Sequence, residues 1–265
     1  GGTSHIFLCS SRTNATVRSF ELERTRSVAP NLTLIERYGS RMQLTIGSSL
    51  GILPKLAKST GPDRPDCDFV YVDGGHDYHI AKADMVNFAK LSRPGTPVVA
   101  DDCFAEGTKQ ISQKGPKQAF NEMVAEGAIE PQNSVQFTDL TFRAVCVGKY
   151  IGPPPPAAPA AAAPTQAQWC NQLADDEAVF DCCYKEREGF KDLLAKRGVQ
   201  VRGKTEAYGG WGSAAKDEVK LLAQLLRAEE QRAPRGKPFT VCETGFNWGG
   251  TSHIFLCASR TNATV

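Results

Sequence analysis

The chain has 265 residues, 41% of them hydrophobic, and a formal net charge of +2 from interspersed residues of both signs. That length suits one mixed α/β domain with a linker, or two small domains. With no basic block, neither nucleic acid nor an acidic membrane surface is an expected partner, and no apolar run is long enough to span a bilayer.

Residues 1–17 read GGTSHIFLCSSRTNATV, and residues 249–265 repeat them with one change, Ser10 against Ala258. Self-similarity at a long fixed spacing marks a repeat. Position 265 is then equivalent to position 17, and one unit spans 248 residues. The chain reads as starting inside one unit and entering the next, so its opening residues are not a signal peptide. The apolar spacing around Ile6, Phe7 and Leu8 predicts a helix. A strand follows over 17–22 (VRSFEL), with Glu21 at its end. Two sequons, at Asn14 and Asn31, permit N-glycosylation.

Strand–helix alternation continues. Residues 42–46 (MQLTI) read as a strand, then Gly47-Ser48-Ser49 leads into a helix over 50–59. Strand 68–73 (DFVYVD) precedes helix 78–91, and strand 97–101 (PVVAD) precedes helix 117–126. A hairpin is expected from 135–138, turning at Asp139 into 142–149. The stretch 152–164, GPPPPAAPAAAAP, breaks the pattern. Consecutive prolines lack amide donors and favour an extended, semi-rigid spacer.

Beyond the spacer, residues 166–197 carry helical periodicity and a cluster of Cys170, Cys182 and Cys183, where a disulfide clip is plausible. Tyr208 and Trp211 sit in a glycine-rich loop that reads either as a lid or as ordinary packing. Residues 216–230 form an amphipathic helix with Ser213 as its N-cap. Residues 239–243 (FTVCE) read as a buried strand entering a glycine turn at 245–250. Cys242 and Cys146, in apolar strands, and Cys9 and Cys257, in an apolar helix, read as buried thiols. No CxxC pair occurs, which disfavours zinc.

Joined in repeat order, the unit predicts a mostly parallel seven-stranded sheet with helices on both faces and a C-terminal β-hairpin. Ligands then belong at the carboxyl ends of the strands. Glu243-Thr-Gly245-Phe-Asn-Trp-Gly249-Gly250 lets backbone approach a ligand closely, and Glu21 is placed to accept hydrogen bonds from a ribose. Taken singly, these features also fit a structural turn and a solvated strand end.

Together they resemble the cofactor site of class I S-adenosylmethionine-dependent methyltransferases. The segment DFVYVDGGHDYHIAKADMVNFAKLSRPGTPVVADD is similar to the metal-dependent O-methyltransferase branch. The resemblance implies a Rossmann-like fold and roles by position. Gly245 and Gly249 would line the methionine part of S-adenosylmethionine, with Glu243 nearby, and Asp73 would also be a cofactor-binding residue. Glu21 would take the ribose, and Ser48 lies where adenine binds. Asp73, Asp101 and Asp102 fall at the branch's metal ligands, suited to Mg2+. His76 falls at the position of the catalytic base, whereas His79 reads as surface. The bland alternatives are helix capping and solvated strand ends for the aspartates, and a loop hydrogen bond for His76.

The implied activity is methyl transfer to a hydroxyl of a small molecule or sugar. The division expected is 1–150 as the C-terminal part of one domain, 151–165 as linker, and 166–265 as the N-terminal part of the next repeat. Two copies of one helix compete for one place in a sheet. Either one is displaced or the two parts belong to neighbouring domains, the reading favoured by the sequence, and an engineered circular permutant also fits. Neighbouring copies would then be partners. The alternative function is a non-catalytic bead in a secreted, glycosylated filament. Localisation is extracellular under that reading and cytoplasmic otherwise.

Overall fold

A computed structural model describes residues 15–22, 38–104, 115–132, 135–137, 143–152, 213–233 and 239–244. The sequon residues Asn14 and Asn31, the spacer from 153 on, the duplicated segment apart from 15–17, the Cys170 cluster, Tyr208, Trp211 and the glycine turn with Gly245 and Gly249 lie outside the described residues.

Among the described residues eight strands occur in chain order: β1 Thr16–Glu21, β2 Met42–Ile46, β3 Phe69–Val72, β4 Pro97–Ala100, β5 Ile129–Pro131, β6 Val135–Phe137, β7 Arg143–Tyr150 and β8 Thr240–Thr244. The helices are α1 Ser49–Lys58, α2 Tyr78–Lys90, α3 Gly115–Ala125 and α4 Ser213–Arg232. The sheet runs β2-β1-β8-β3-β4-β7-β5, with β6 on β7. The first five strands of that order are mutually parallel, and β7 is antiparallel to β4, β5 and β6. Every residue of β3 and β4 is buried. That is the signature of strands covered on both faces, and it explains why FVYV and PVVA are continuous apolar runs.

The segments VRSFEL, DFVYVD and FTVCETG share one ladder. β8 lies between β1 and β3, with Val17 opposite Val241 on one side and Val70 opposite Cys242 on the other. The chain therefore completes its sheet with its own β8, where the sequence reading favoured two neighbouring domains. The physical reason is the open slot: β1 and β3 each present an unpaired parallel edge, and the five-residue β8, buried from Val241 to Thr244, satisfies both.

β5 is an element the sequence reading did not anticipate. Its three residues carry too short a pattern, and pairing with β7 defines it. The cysteines bring a correction. Cys242 and Cys146 are buried, but as disulfides rather than thiols: Cys67–Cys242, with Cα atoms 5.7 Å apart, and Cys103–Cys146, at 5.5 Å. Both pairs join distant segments, so no local spacing announced them.

The core on the α1, α2 and α3 side gathers Phe20, Leu53, Val70, Val72, Met85 and Phe88 with the Cys67–Cys242 bridge. On α2 the buried positions Ala81, Asp84, Met85 and Phe88 recur at helical spacing. Apolar burial of this kind stabilises at about 25 cal/mol per Å2.

Candidate active site

Parallel strands end together, so the carboxyl ends of β2, β1, β8, β3 and β4 form one rim. Most of the singled-out residues stand on it. Glu21 closes β1, half-buried, and its carboxylate accepts the Leu22 N–H at 2.9 Å. The Gly47 N–H donates to the Glu21 carbonyl at 2.8 Å, which ties the turn after β2 to the end of β1. Gly47 holds φ at +141°, open only to glycine, so the turn can be this tight. Ser48 follows as the exposed N-cap of α1.

Glu243 is buried completely, in register with Ser19 on β1 and Tyr71 on β3. Thr244 beside it accepts the Asp73 N–H on its carbonyl at 2.9 Å, so the ends of β8 and β3 are locked level.

The three aspartates are not gathered as one group. Asp73, His76 and Asp102 converge, each offering a ligand atom within 4.8 Å of the others, and each is partly exposed. His76 Nε2 lies 2.9 Å from Asp102 Oδ2. Asp101 is buried, and its carboxylate accepts the Tyr71 hydroxyl at 2.9 Å and the Asp102 N–H at 2.8 Å. The backbone explains the split. Asp102 adopts φ of +56°, a left-handed conformation uncommon outside glycine. The chain leaves β4 there with a sharp turn, and the two neighbouring carboxylates face different surroundings. Such backbone strain concentrates at functional sites.

His76 has its pKa raised. The hydrogen bond to Asp102 is the largest cause, burial opposes it, and the charges of Asp102, Asp101 and Asp77 add to it. The imidazole is therefore held and oriented by a carboxylate, the arrangement of a general base. His79 is exposed, as expected. Backbone contact also fixes the His76 loop: a side chain on Gly115, at the start of α3, would collide with the His76 carbonyl and the Tyr78 amide. The Tyr78 hydroxyl meets Glu122 of α3 at 2.5 Å, and Lys82 pairs with Glu126 at 2.7 Å.

Sequence reasoning missed Asp84. It sits 1% exposed under Gly74, and its carboxyl pKa rises to about 6, chiefly through burial. The signal was present: an acid on the apolar face of α2, at helical spacing with Ala81 and Phe88.

Strand order, the level carboxyl ends and an acid at the end of β1 define the class I methyltransferase fold. Residues 1–103 match a family model described as a methyltransferase domain. Among solved structures, the chain resembles an O-methyltransferase from Bacillus cereus crystallised with SAH, at 18% identity and TM-score 0.41. The alignment covers 51% of this chain and 62% of that one. It also resembles a 1,6-didemethyltoxoflavin-N1-methyltransferase from Burkholderia thailandensis (11% identity, TM-score 0.34, 52% and 72% covered). A third is the N-methyltransferase NodS from Bradyrhizobium japonicum (12% identity, TM-score 0.34, 52% and 88% covered). The chain thus spans under two thirds of the Bacillus cereus enzyme. No curated protein matches it. Among the described residues, no helix is long and apolar enough to cross a membrane.

Proposed function

We propose that the chain binds S-adenosylmethionine and transfers its methyl group to a hydroxyl of a small molecule or sugar. One observation carries this reading: His76 is paired with Asp102 on the same rim as Glu21 and Glu243. A cofactor acid and an oriented base thus share one edge of the sheet.

The residues fit the cofactor by chemistry. Glu21, half-exposed at the end of β1, would accept the ribose hydroxyls, and the Gly47–Ser48 turn tied to it would border the adenine. Glu243, Gly245, Gly249 and Asp73 would line the methionine part. Bound there, S-adenosylmethionine supplies an electrophilic methyl on a sulfonium. His76 accepts the proton of the acceptor hydroxyl, Asp102 keeps the imidazole oriented and stabilises its charged form, and the rim aligns the acceptor oxygen.

A divalent cation fits the same corner. Asp73 and Asp102 offer hard oxygen donors close together, and His76 stands within reach. When bound, a cation such as Mg2+ lowers the pKa of a coordinated hydroxyl. Asp101 supports this corner from below, through Tyr71 and the Asp102 amide.

Calorimetry on the 265-residue chain tests the cofactor half. Binding of S-adenosylmethionine is expected, weakened about 10- to 100-fold in Glu21→Ala, the cost of charge-assisted hydrogen bonds. No heat at millimolar cofactor would remove the proposal.

A second reading, a bead in a repeat filament, is favoured by the duplicated 17-residue segment. The buried disulfides support an oxidising compartment for it. Mass spectrometry of native material should then find glycans on Asn14 or Asn31 and hydroxylated prolines at 153–156. Unmodified peptides throughout would count against secretion.

A further inference from the structure

β8 enters the middle of the sheet from the far side of the Pro/Ala segment, yet it carries Glu243 and leads into the glycine turn. Three connections gather at its amino end. The Asp68 N–H donates to the Thr240 carbonyl at 2.7 Å, and the Asp68 carboxylate accepts the Thr240 N–H at 2.8 Å. Arg93 in turn pairs with Asp68. The third is the Cys67–Cys242 disulfide, which closes a separation of 175 residues. Cys67 is itself anchored, its N–H donating to the Leu91 carbonyl at 2.7 Å. Side chains alternate along a strand, so Cys242 and Glu243 point to opposite faces. The bridge belongs to the core cluster that holds Val70, Met85 and Phe88, on the face of β8 opposite Glu243.

We propose that Cys67–Cys242 is a covalent redox latch. It fixes the strand bearing Glu243 into the sheet, so that the parts before and after the Pro/Ala segment remain one molecule even when that segment is severed. The inference stands on the sheet and the disulfide and does not need the methyltransferase reading.

Closing the latch is a two-electron oxidation. One cysteine thiolate attacks the disulfide of a small thiol–disulfide couple or exchange protein and displaces one thiolate. The second cysteine attacks the resulting mixed disulfide and displaces the other. Two protein thiols become one disulfide, and the partner's disulfide becomes two thiols. Both cysteines are fully buried once β8 is seated, so exchange requires the strand to open, and a closed latch resists reductant in the folded state.

The test uses the full chain with a site-specific protease sequence inserted within 157–163. The oxidised protein is cleaved, alkylated, denatured and run without reductant. The expected result is one species of full mass, which reductant splits in two. Cys242→Ser should split without reductant. Cys103→Ser should stay joined, because the Cys103–Cys146 bridge lies wholly before the cut. Non-reducing peptide mapping of uncut wild type reads the 67–242 linkage directly, should Cys242→Ser not fold or the cut not proceed. Wild-type pieces that part without reductant would overturn the latch. So would a map with free thiols at 67 and 242, or a linkage found only between two chains.

Discussion

Replacing His76 by Ala is expected to lower kcat by about 100- to 10,000-fold, the usual contribution of a positioned general base, with S-adenosylmethionine affinity retained. The imidazole is 38% exposed and its partner Asp102 16% exposed, so the ring is open to solvent on one side and held by a partly desolvated carboxylate on the other. Their hydrogen bond raises the His76 pKa above its ordinary value of 6.5, against the opposing effect of burial. The imidazolium therefore persists to higher pH, and the active, neutral base appears as pH rises through that raised value. The acid limb of kcat should lie above pH 6.5. In Asp102→Asn the limb should move to lower pH and the plateau should fall, because the imidazole loses both its charge partner and its orientation. Rates measured from pH 5 to 9, on wild type and both variants, decide the matter. A His76→Ala enzyme of undiminished kcat would end His76's assignment as the base, and a limb unmoved in Asp102→Asn would end that of the pair.

Stability should respond most to Asp84, and in the opposite direction from most core substitutions. The carboxyl is 1% exposed on the buried face of α2. Burial raises its pKa from 3.8 to about 6; the Ser49 and Thr244 hydroxyls oppose this only in part, since neither reaches full hydrogen-bond geometry. Tyr150 of β7 also interacts with it; that ring is buried, its hydroxyl donating to the Met85 carbonyl at 3.0 Å. As pH rises the unfolded chain releases the Asp84 proton first. The native state holds more protons between about pH 4 and 6, so stability falls across that window. About two pKa units correspond to roughly 3 kcal/mol, fully lost above pH 6. Asp84→Asn keeps the shape without the charge. It should match wild type near pH 4 and exceed it by about 2–3 kcal/mol at pH 8 in urea titrations. Parallel curves for the two proteins would show that Asp84 ionises at no cost.

The two residues differ in how visible they were. His76 stood in a motif, DGGH, immediately after a strand that could be read from its own apolar run. Asp84 lay inside a helix whose periodicity placed it on the apolar face, yet an isolated acid there reads equally as a frayed edge of the pattern. Only α2 packed beneath Gly74, with Thr244 beside it, makes that carboxyl a buried one. The glycine turn, the sequons and the spacer were legible as motifs, but they lie outside the described residues.

The sequence by itself determined most of the described elements and their order along the chain, the short β5 excepted. MQLTI, PVVA and FTVCE become strands, and the 78–91 and 216–230 periods become helices, because backbone hydrogen bonding and side-chain alternation act over a few residues. The carboxyl-end rim also followed, since parallel crossovers allow no other place for it. Tertiary structure alone decided which distant groups meet: β8 in the slot of its own chain, Cys67 with Cys242, Cys103 with Cys146, and His76 with Asp102 while Asp101 turns to Tyr71. Such partners are chosen by sheet order and by a single left-handed residue at the end of β4, and neither leaves a periodic trace in the chain.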